Sequence, residues 1–324
     1  MVEEEKQGGE EKWIWTEWKK RRRDKCYVVN VSEGLGCDTS RVIQILAHRN
    51  AEQRSLIQQE YETTYSEPLS KRLSSEIHGH LKKALLLWLH DPPTRDAKIT
   101  KSALTSSVVD NQAITEIICS RTPSQLRRLK EVYLSNYHSP LEHDIENLTS
   151  GDHKKLLLAY VTTPRYEGPE FNQIMVEEDA KELYKSGEKK IGTDEKTFIR
   201  IFTERSTAHL AAVSSAYTAS FRNSLEKAIK SETSGSFMRG LLTILRCATD
   251  SNMYFAKILR KSMKGIGTDD SRLIRVIVTR AETDMMHIKI AYYNKYGKPL
   301  TQAVRSDTRG HYEDFLIHLL GTDY

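Results

Sequence analysis

The chain lacks any apolar run long enough to cross a bilayer. Among its 324 residues the longest wholly apolar stretch spans residues 84–89, whereas a membrane-spanning helix needs about 20 such residues. Its composition of 38% hydrophobic and 29% charged residues is typical of a solvated globular protein. The sequence therefore argues against a membrane-spanning protein and against a disordered one.

Cysteine is also scarce. The four cysteines, Cys26, Cys37, Cys119 and Cys247, form no CxxC pair, which argues against a zinc site and against a disulfide framework. Residues 1–6 are acidic and lack the basic and then apolar order of a secretory signal. We therefore expect a cytoplasmic protein, and its net charge of +5 favours anionic partners in general.

One pattern of residues occurs four times along the chain. An arginine stands eleven residues after an aspartate, and a tyrosine stands twelve residues after that arginine. A second aromatic residue follows four residues after the tyrosine, and a leucine follows four residues after the second aromatic residue. The aspartates are Asp38, Asp110, Asp194 and Asp269. Five aligned positions in four copies indicate internal repeats of about 70 residues.

Within the repeats the apolar residues recur at helical spacing, as in Leu273, Ile274 and Ile277, and strand alternation is scarce. A unit of about 70 residues has room for four or five helices joined by tight turns. We therefore predict an all-α fold whose four repeats pack side by side. The repeated arginines, tyrosines and leucines are interpreted as packing residues of the core.

The predicted domain organisation is an atypical amino-terminal segment followed by four repeats. The segment spans residues 1–31, and the repeats span residues 32–95, 96–166, 167–249 and 250–324. Between the second and third repeats, residues 162–169 carry two prolines and a glycine. This composition predicts an extended linker that separates two halves of the chain.

A glycine-containing loop precedes three of the four aspartates. The loops read Gly34-Leu35-Gly36-Cys37, Lys190-Ile191-Gly192-Thr193 and Gly265-Ile266-Gly267-Thr268. Glycine permits backbone conformations closed to other residues, so successive carbonyl oxygens can turn toward one point. A hard cation such as calcium needs about six to eight oxygen ligands, and an acidic side chain is expected to supply some of them.

An acidic residue stands 38 positions after three of the aspartates, as Glu76, Glu232 and Asp307. In the second repeat the same position is Leu148, and the preceding loop, residues 106–109, contains no glycine. Loop and carboxylate are lost together in one copy. This correlated loss indicates that the two features act jointly.

The loops and their carboxylates resemble those of the annexin family. The family pattern is a GxGT loop with an acidic residue 42 positions after its first glycine, and Gly265 with Asp307 and Gly34 with Glu76 match that spacing. The resemblance covers nearly all of the chain from residue 32 onward. It implies four annexin-like repeats packed as a compact curved array.

Two short stretches, residues 45–49 and 315–322, are particularly similar to plant annexins. The resemblance implies a calcium-dependent phospholipid-binding protein, with Ca²⁺ as its cofactor and no enzymatic activity. Such a protein would be cytoplasmic and would bind reversibly at the inner face of membranes. Anionic phospholipid membranes are the expected partner, self-association on the membrane and actin binding stay open, and no specific nucleic acid is expected.

The resemblance also implies which residues hold calcium. In repeat 4 these are the backbone carbonyls near Met263, Gly265 and Gly267, together with the Asp307 side chain. In repeat 1 they are Ser32, Gly34, Gly36 and Glu76, with Cys37 in place of the usual threonine. Repeat 4 is expected to be the best site, and repeat 2 is expected to be silent.

Repeat 3 is the doubtful copy. It keeps Gly192, Thr193 and Glu232 but has Lys190 in place of the first glycine. The lysine puts a positive charge beside the ion, so we expect weak binding or none. At the tips of the other two loops, Leu35 and Ile266 are predicted to contact lipid.

This ligand set predicts a membrane switch. One carboxylate and a few carbonyls leave coordination positions to water, so the affinity for calcium alone should be on the order of 10⁻⁴ M or weaker. A lipid phosphate can replace those waters and be bridged to the protein by the ion. By linkage, anionic lipid must then raise calcium affinity as much as calcium raises lipid affinity.

Three features leave other functions open. Residues 13–23 hold three tryptophans and a basic run at the place where annexins have an amphipathic first helix. One interpretation is that repeat 1 lacks this helix. The basic run could bind actin, nucleic acid or an anionic membrane without calcium. His48 matches a position proposed to give plant annexins peroxidase activity, and Cys119 and Cys247 resemble a plant-annexin pair suggested to be redox-active.

Overall fold

A computed structural model of the chain describes residues 38–189 and 192–323. This part of the chain folds into eighteen α-helices without a strand, which confirms the predicted all-α fold. The predictions for the amino-terminal segment, for the repeat-1 residues Ser32, Gly34, Leu35 and Gly36, and for Lys190 lie outside the described residues.

The helices follow one order in every repeat. Repeat 1 contains α1 (Thr39–Ala47), α2 (Ala51–Tyr65), α3 (Leu69–Glu76) and α4 (Gly79–Trp88). Repeat 2 contains α5 (Pro92–Thr105), α6 (Asn111–Ile118), α7 (Pro123–Tyr137), α8 (Leu141–Leu148) and α9 (Gly151–Thr162).

The second half of the chain repeats this order. Repeat 3 contains α10 (Gln173–Ser186), α11 (Glu195–Glu204), α12 (Thr207–Phe221), α13 (Leu225–Glu232) and the first part of α14 (Gly235–Ser262). Repeat 4 contains the rest of α14, α15 (Asp270–Arg280), α16 (Met285–Tyr296), α17 (Leu300–Asp307) and α18 (Gly310–Leu320). Because α14 is broken by a non-helical residue at Asp250, repeats 2, 3 and 4 each have five helical segments.

The aspartate that marks each repeat is a helix N-cap. Its side chain accepts a hydrogen bond from the backbone N–H three residues later at Asp38, Asp110, Asp194 and Asp269. An N-cap of this kind satisfies one of the N–H groups that the first turn of a helix leaves without a partner. The aspartate therefore fixes where the second helix of each repeat begins, and with it the end of the preceding loop.

The repeated tyrosines and leucines form the core, as the packing interpretation predicted. None of these eight side chains is more than 2% exposed: Tyr61, Tyr133, Tyr217, Tyr292, Leu69, Leu141, Leu225 and Leu300. Burying large apolar side chains at the same positions in every copy gives each repeat the same interior.

The repeated arginines join neighbouring helices in two of the repeats. Arg121 donates through Nε and Nη2 to both carboxylate oxygens of Asp96, at 2.6 and 2.8 Å. Arg205 forms the same paired contact with Asp179, at 2.6 and 3.1 Å. Each pair ties the end of the second helix of its repeat to the first helix. The geometry is the two-pronged one that makes arginine a strong partner for carboxylates.

The described residues form two compact units. One unit comprises residues 38–91, 262–289 and 296–323, which are mainly repeats 1 and 4, and the other comprises residues 92–261 and 290–295, mainly repeats 2 and 3. The prediction that residues 162–169 separate two halves is therefore wrong, because repeats 2 and 3 on either side of this linker belong to one unit. Helix α9 packs against α11 there, so apolar packing between repeats overrides the extended composition of the linker.

The first unit is built by similar contacts between repeats. Helix α4 packs against α15, and α18 packs against α1.

No helix in residues 38–189 and 192–323 is long and apolar enough to cross a membrane.

The buried Arg121–Asp96 pair predicts a large stability effect. The side chains are 5% and 9% exposed, so Asp96→Ala would leave a buried guanidinium without its partner. We expect a loss of about 3–5 kcal/mol in the free energy of unfolding, measured by urea denaturation followed by circular dichroism.

Glu146→Ala is the matched control in the same unit. It removes the exposed partner of Lys154, and exposed pairs contribute less than about 1 kcal/mol. Equal losses from the two variants would contradict a structural role for the buried pair.

Candidate metal site

The repeat-4 loop, residues 263–269, runs from the end of α14 to the start of α15. Gly265 and Gly267 have φ angles of +120° and +84°, a backbone region that residues with a side chain rarely adopt. The Asp269 N–H donates to the Ser262 carbonyl at 2.8 Å and closes the loop at its base. The two glycines are therefore required by the path of the chain.

The predicted carboxylate is held next to this loop. Thr268 Oγ1 donates to Asp307 Oδ2 at 2.7 Å and also lies 3.1 Å from the Asp307 carbonyl oxygen. Asp307 is the last residue of α17, and these contacts bring the end of that helix to the loop. The structure thus brings together the glycine loop and the acidic residue that the sequence paired across 42 positions.

Several oxygens at this site accept no hydrogen bond from the described residues. Within the described part of the chain, the carbonyl oxygens of Met263, Gly265 and Gly267 accept no hydrogen bond, and neither does Asp307 Oδ1. Backbone carbonyls normally find a protein or water partner. Carbonyl and carboxylate oxygens are the ligands that calcium prefers, so the donor set of repeat 4 fits this ion.

The loop tip is apolar and fully exposed. Ile266 has a relative exposure of 109%, which is unusual for a large aliphatic side chain. The side chain therefore gains no packing energy from the rest of the protein and is available to an external apolar phase.

Repeat 3 retains the same connection between loop and carboxylate. Thr193 Oγ1 donates to the Glu232 carbonyl oxygen at 2.7 Å and lies 3.3 Å from Glu232 Oε2. Gly192 has a φ of +83°. These three predicted residues are brought together, while the loop positions 190 and 191 lie outside the described residues.

Of the four residues predicted to hold calcium in repeat 1, only Glu76 belongs to the described part of the chain. Its Oε1 lies 3.2 Å from Arg72 Nη2, one helical turn earlier on α3. A calcium ion at this carboxylate would have to compete with the guanidinium. Asp307 in repeat 4 has no such cationic partner among the described residues.

Repeat 2 shows how a loop of this kind is closed without an ion. The Ser106 hydroxyl lies 2.6 Å from the Val108 carbonyl oxygen and 3.0 Å from that of Ala103. The Asn111 N–H donates to the Val109 carbonyl at 2.9 Å. Protein donors therefore occupy loop carbonyls that stay free in repeat 4, and Leu148 supplies no carboxylate, so the donor set does not fit calcium.

The histidine and cysteines singled out in the sequence lie elsewhere. His48 is exposed at the end of α1, and its Nε2 lies 3.0 Å from His318 Nδ1. The pKa of His48 is lowered by partial burial and, to a smaller extent, by the charges of His318 and Arg49. Cys119 and Cys247 are free thiols, and burial raises the pKa of Cys119, which keeps that thiol protonated.

The candidate site depends on backbone oxygens more than on side chains. Across residues 38–189 and 192–323, no group of three histidine, cysteine, aspartate or glutamate side chains is placed to hold a metal ion. Sequence reasoning missed the capping role of Asp269 and the threonine contact to the carboxylate. An aspartate directly before each helical pattern is the N-cap signal that could have revealed the first.

Comparison with known proteins identifies the repeats. The annexin family model matches residues 30–88, 95–160, 178–244 and 254–319. Annexin D5 of Arabidopsis thaliana is 54% identical over 300 residues, covering 93% of this chain and 95% of that protein.

Solved structures of annexins have the same fold as this chain. The chain matches annexin III with a TM-score of 0.90 at 32% identity, covering 94% of each chain. It matches calcium-bound annexin (Sm)1 with a TM-score of 0.80 at 29% identity, covering 94% of this chain and 91% of that one. The chain, with its four repeats and its identity to a plant protein, belongs to the annexin family and is a plant-type annexin.

Proposed function

We propose that this protein binds the surface of anionic phospholipid membranes through calcium ions that bridge the protein to lipid phosphates. The observation that carries the proposal is the repeat-4 loop, where three carbonyl oxygens and one oxygen of Asp307 have no partner among the described residues. Calcium and phospholipid binding are characteristic of annexins, and the similar annexin (Sm)1 has been solved with calcium bound.

The charge of the site explains why lipid is needed. The carbonyls of Met263, Gly265 and Gly267 would hold the ion together with Asp307, which supplies a single negative charge. Since these ligands fill only part of a calcium shell, net positive charge and open positions remain for phosphate oxygens. Each ligand, ion or lipid, then strengthens the binding of the other.

The copies are proposed to differ in strength. Repeat 4 is the strongest site because its carboxylate is free of cations. Repeat 1 is weaker because Arg72 pairs with Glu76, and repeat 3 is weakest because of the lysine at position 190. Repeat 2 is silent because Ser106 occupies a loop carbonyl.

The exposed isoleucine adds an apolar contribution. Once calcium brings the repeat-4 loop to the headgroups, Ile266 can leave water for the interfacial region. Full burial of such a side chain is worth about 1.5–3 kcal/mol. We place this binding reversibly at the inner face of cellular membranes, where anionic lipids are concentrated.

Removal of the repeat-4 carboxylate tests the proposal directly. We expect Asp307→Asn to raise the calcium concentration for half-maximal binding to phosphatidylserine vesicles by at least about tenfold, because ligand charge sets calcium affinity. The measurement is vesicle sedimentation across a calcium titration, with Asp314→Asn, an exposed carboxylate on α18, as control. Binding that persists in chelator and disappears in high salt would instead support the basic run at residues 19–23.

A variant in repeat 1 tests the proposed order of calcium affinity among the repeats. Glu76→Gln should raise the calcium requirement in the same assay by less than Asp307→Asn does, because the Arg72 contact already weakens Glu76 as a ligand. A larger effect at Glu76 would reverse the proposed order of the sites.

The loop tip is tested separately. Ile266→Ser should weaken vesicle binding at saturating calcium by about tenfold, from the apolar area withheld from the membrane. Leu134→Ser is the matched control because Leu134 is also exposed, at 50%, but lies within α7. Equal binding by both variants would exclude insertion of Ile266.

A further inference from the structure

The linker between repeats 2 and 3, residues 162–169, is docked against repeat 2 at two points. Arg165 Nη1 donates to the Tyr160 carbonyl at 2.6 Å, and its guanidinium lies 3.6 Å from the centroid of the Tyr160 ring. Two residues later, Glu167 Oε1 accepts a hydrogen bond from the Ser124 N–H at 2.5 Å. All of these residues belong to the unit formed mainly by repeats 2 and 3. The linker is therefore held by its two charged side chains.

Glu167 contacts the first turn of α7, which begins at Pro123 after its N-cap Thr122. The first N–H groups of a helix lack partners within the helix and favour a negative charge. The Ser124 N–H is the main cause of a lowered pKa at Glu167. The hydroxyls of Ser124 and Thr122 and the charge of Arg127 lower this pKa further. The Glu167 carboxylate is therefore ionised at neutral pH and lies beside the Thr122 hydroxyl.

Thr122 differs from the other hydroxyl residues that precede a proline. The sequence contains three of these residues, Thr122, Ser139 and Thr163. Ser139 and Thr163 are half-buried, and the Ser139 hydroxyl donates to Asp144 at 2.9 Å. Thr122 is exposed, with φ −70° and ψ 160°, the extended conformation that a following proline favours. An exposed hydroxyl on extended backbone before a proline is what a proline-directed protein kinase requires of its substrate.

A phosphate on Thr122 would compete with Glu167 for the start of α7. Thr122 Oγ1 lies 3.0 Å from Ser124 Oγ and accepts from the Gln125 N–H at 3.3 Å, so phosphate oxygens attached to it can reach the N–H groups of the first turn. The phosphate carries about −1.5 to −2 charges at neutral pH, more than the single charge of a carboxylate. Two anions so close repel each other, and Arg127 favours the more highly charged one.

We propose that Thr122 is a phosphorylation site for a proline-directed protein kinase, and that its phosphate displaces Glu167 from the start of α7 and releases the linker. In the transfer step Thr122 Oγ1 attacks the γ-phosphorus of ATP. The new O–P bond forms as the bond to the β-phosphate oxygen breaks, the hydroxyl proton passes to the catalytic base of the kinase, and ADP leaves. The modification acts on the connection between repeats 2 and 3 and does not depend on the proposed calcium function.

The first experiment tests whether the folded protein accepts the phosphate. The full chain is incubated with a proline-directed kinase and ATP, and peptide mass spectrometry locates the modified residue. We expect phosphate at Thr122 and none at Ser139 or Thr163. Thr122→Asn should accept none at position 122, while asparagine retains an N-cap acceptor for α7. A kinase that modifies a standard peptide substrate but leaves Thr122 unmodified, or that modifies Ser124 instead, would overturn the proposal.

Limited trypsin digestion then measures release of the linker. The bond after Arg165 is protected while this side chain is docked on Tyr160. Loss of a hydrogen bond to a charged group raises the population of the open linker, so cleavage there should be at least about tenfold faster in the phosphorylated chain. Cleavage after Arg222, an exposed residue at the end of α12 in the same unit, is the internal control and should keep its rate. An unchanged rate after Arg165 in the phosphorylated chain would exclude release of the linker.

Glu167→Gln separates the docking contact from the kinase. Because the variant removes the charge held by α7, it should accelerate cleavage after Arg165 without any phosphate, and phosphorylation of Thr122 should then add little. Glu131→Gln, which changes an exposed carboxylate on α7, is the matched control and should be cleaved like the native chain. Circular dichroism checks that both variants fold. Native-like cleavage of folded Glu167→Gln would show that Glu167 does not hold the linker and would refute the proposed release.

Discussion

The hydrogen bond from Thr268 to Asp307 joins two parts of repeat 4 that lie 39 residues apart. It holds the only side-chain oxygen of the proposed calcium site against a loop whose other oxygens belong to the backbone. The loop itself is fixed at its base by the Asp269 N–H and by the Asp269 cap of the next helix. With both helix ends satisfied, the carbonyls between them can stay free for an ion.

The same framework tolerates the loss of the site. In repeat 2 the N-cap, the buried tyrosine and the buried arginine pair are all kept, yet Ser106 fills a loop carbonyl and Leu148 replaces the carboxylate. Stability therefore resides in the helices and their caps. The proposed calcium ligands are confined to a few loop positions and one carboxylate, so one copy can lose them without losing the fold.

The sequence predicted the all-α repeats and the repeat-4 residues because both leave local signals. Apolar periodicity indicates helices, and a glycine loop with a distant carboxylate indicates a ligand set. The grouping of repeats 2 and 3 across residues 162–169 could not be read in this way, since it depends on α9 packing against α11. The Arg72–Glu76 pair and the Ser106 contact were also missed, because they depend on side-chain positions that no spacing reveals.

Calcium at repeat 4 is the contact on which the proposed membrane binding depends, and a crystal structure grown with calcium and a short-chain phosphatidylserine tests it most directly. An anomalous calcium peak within about 2.3–2.6 Å of the Met263, Gly265 and Gly267 carbonyls and of Asp307, with a lipid phosphate on its open side, is the predicted result. A repeat-4 loop without calcium, in crystals that bind it elsewhere, would contradict the account.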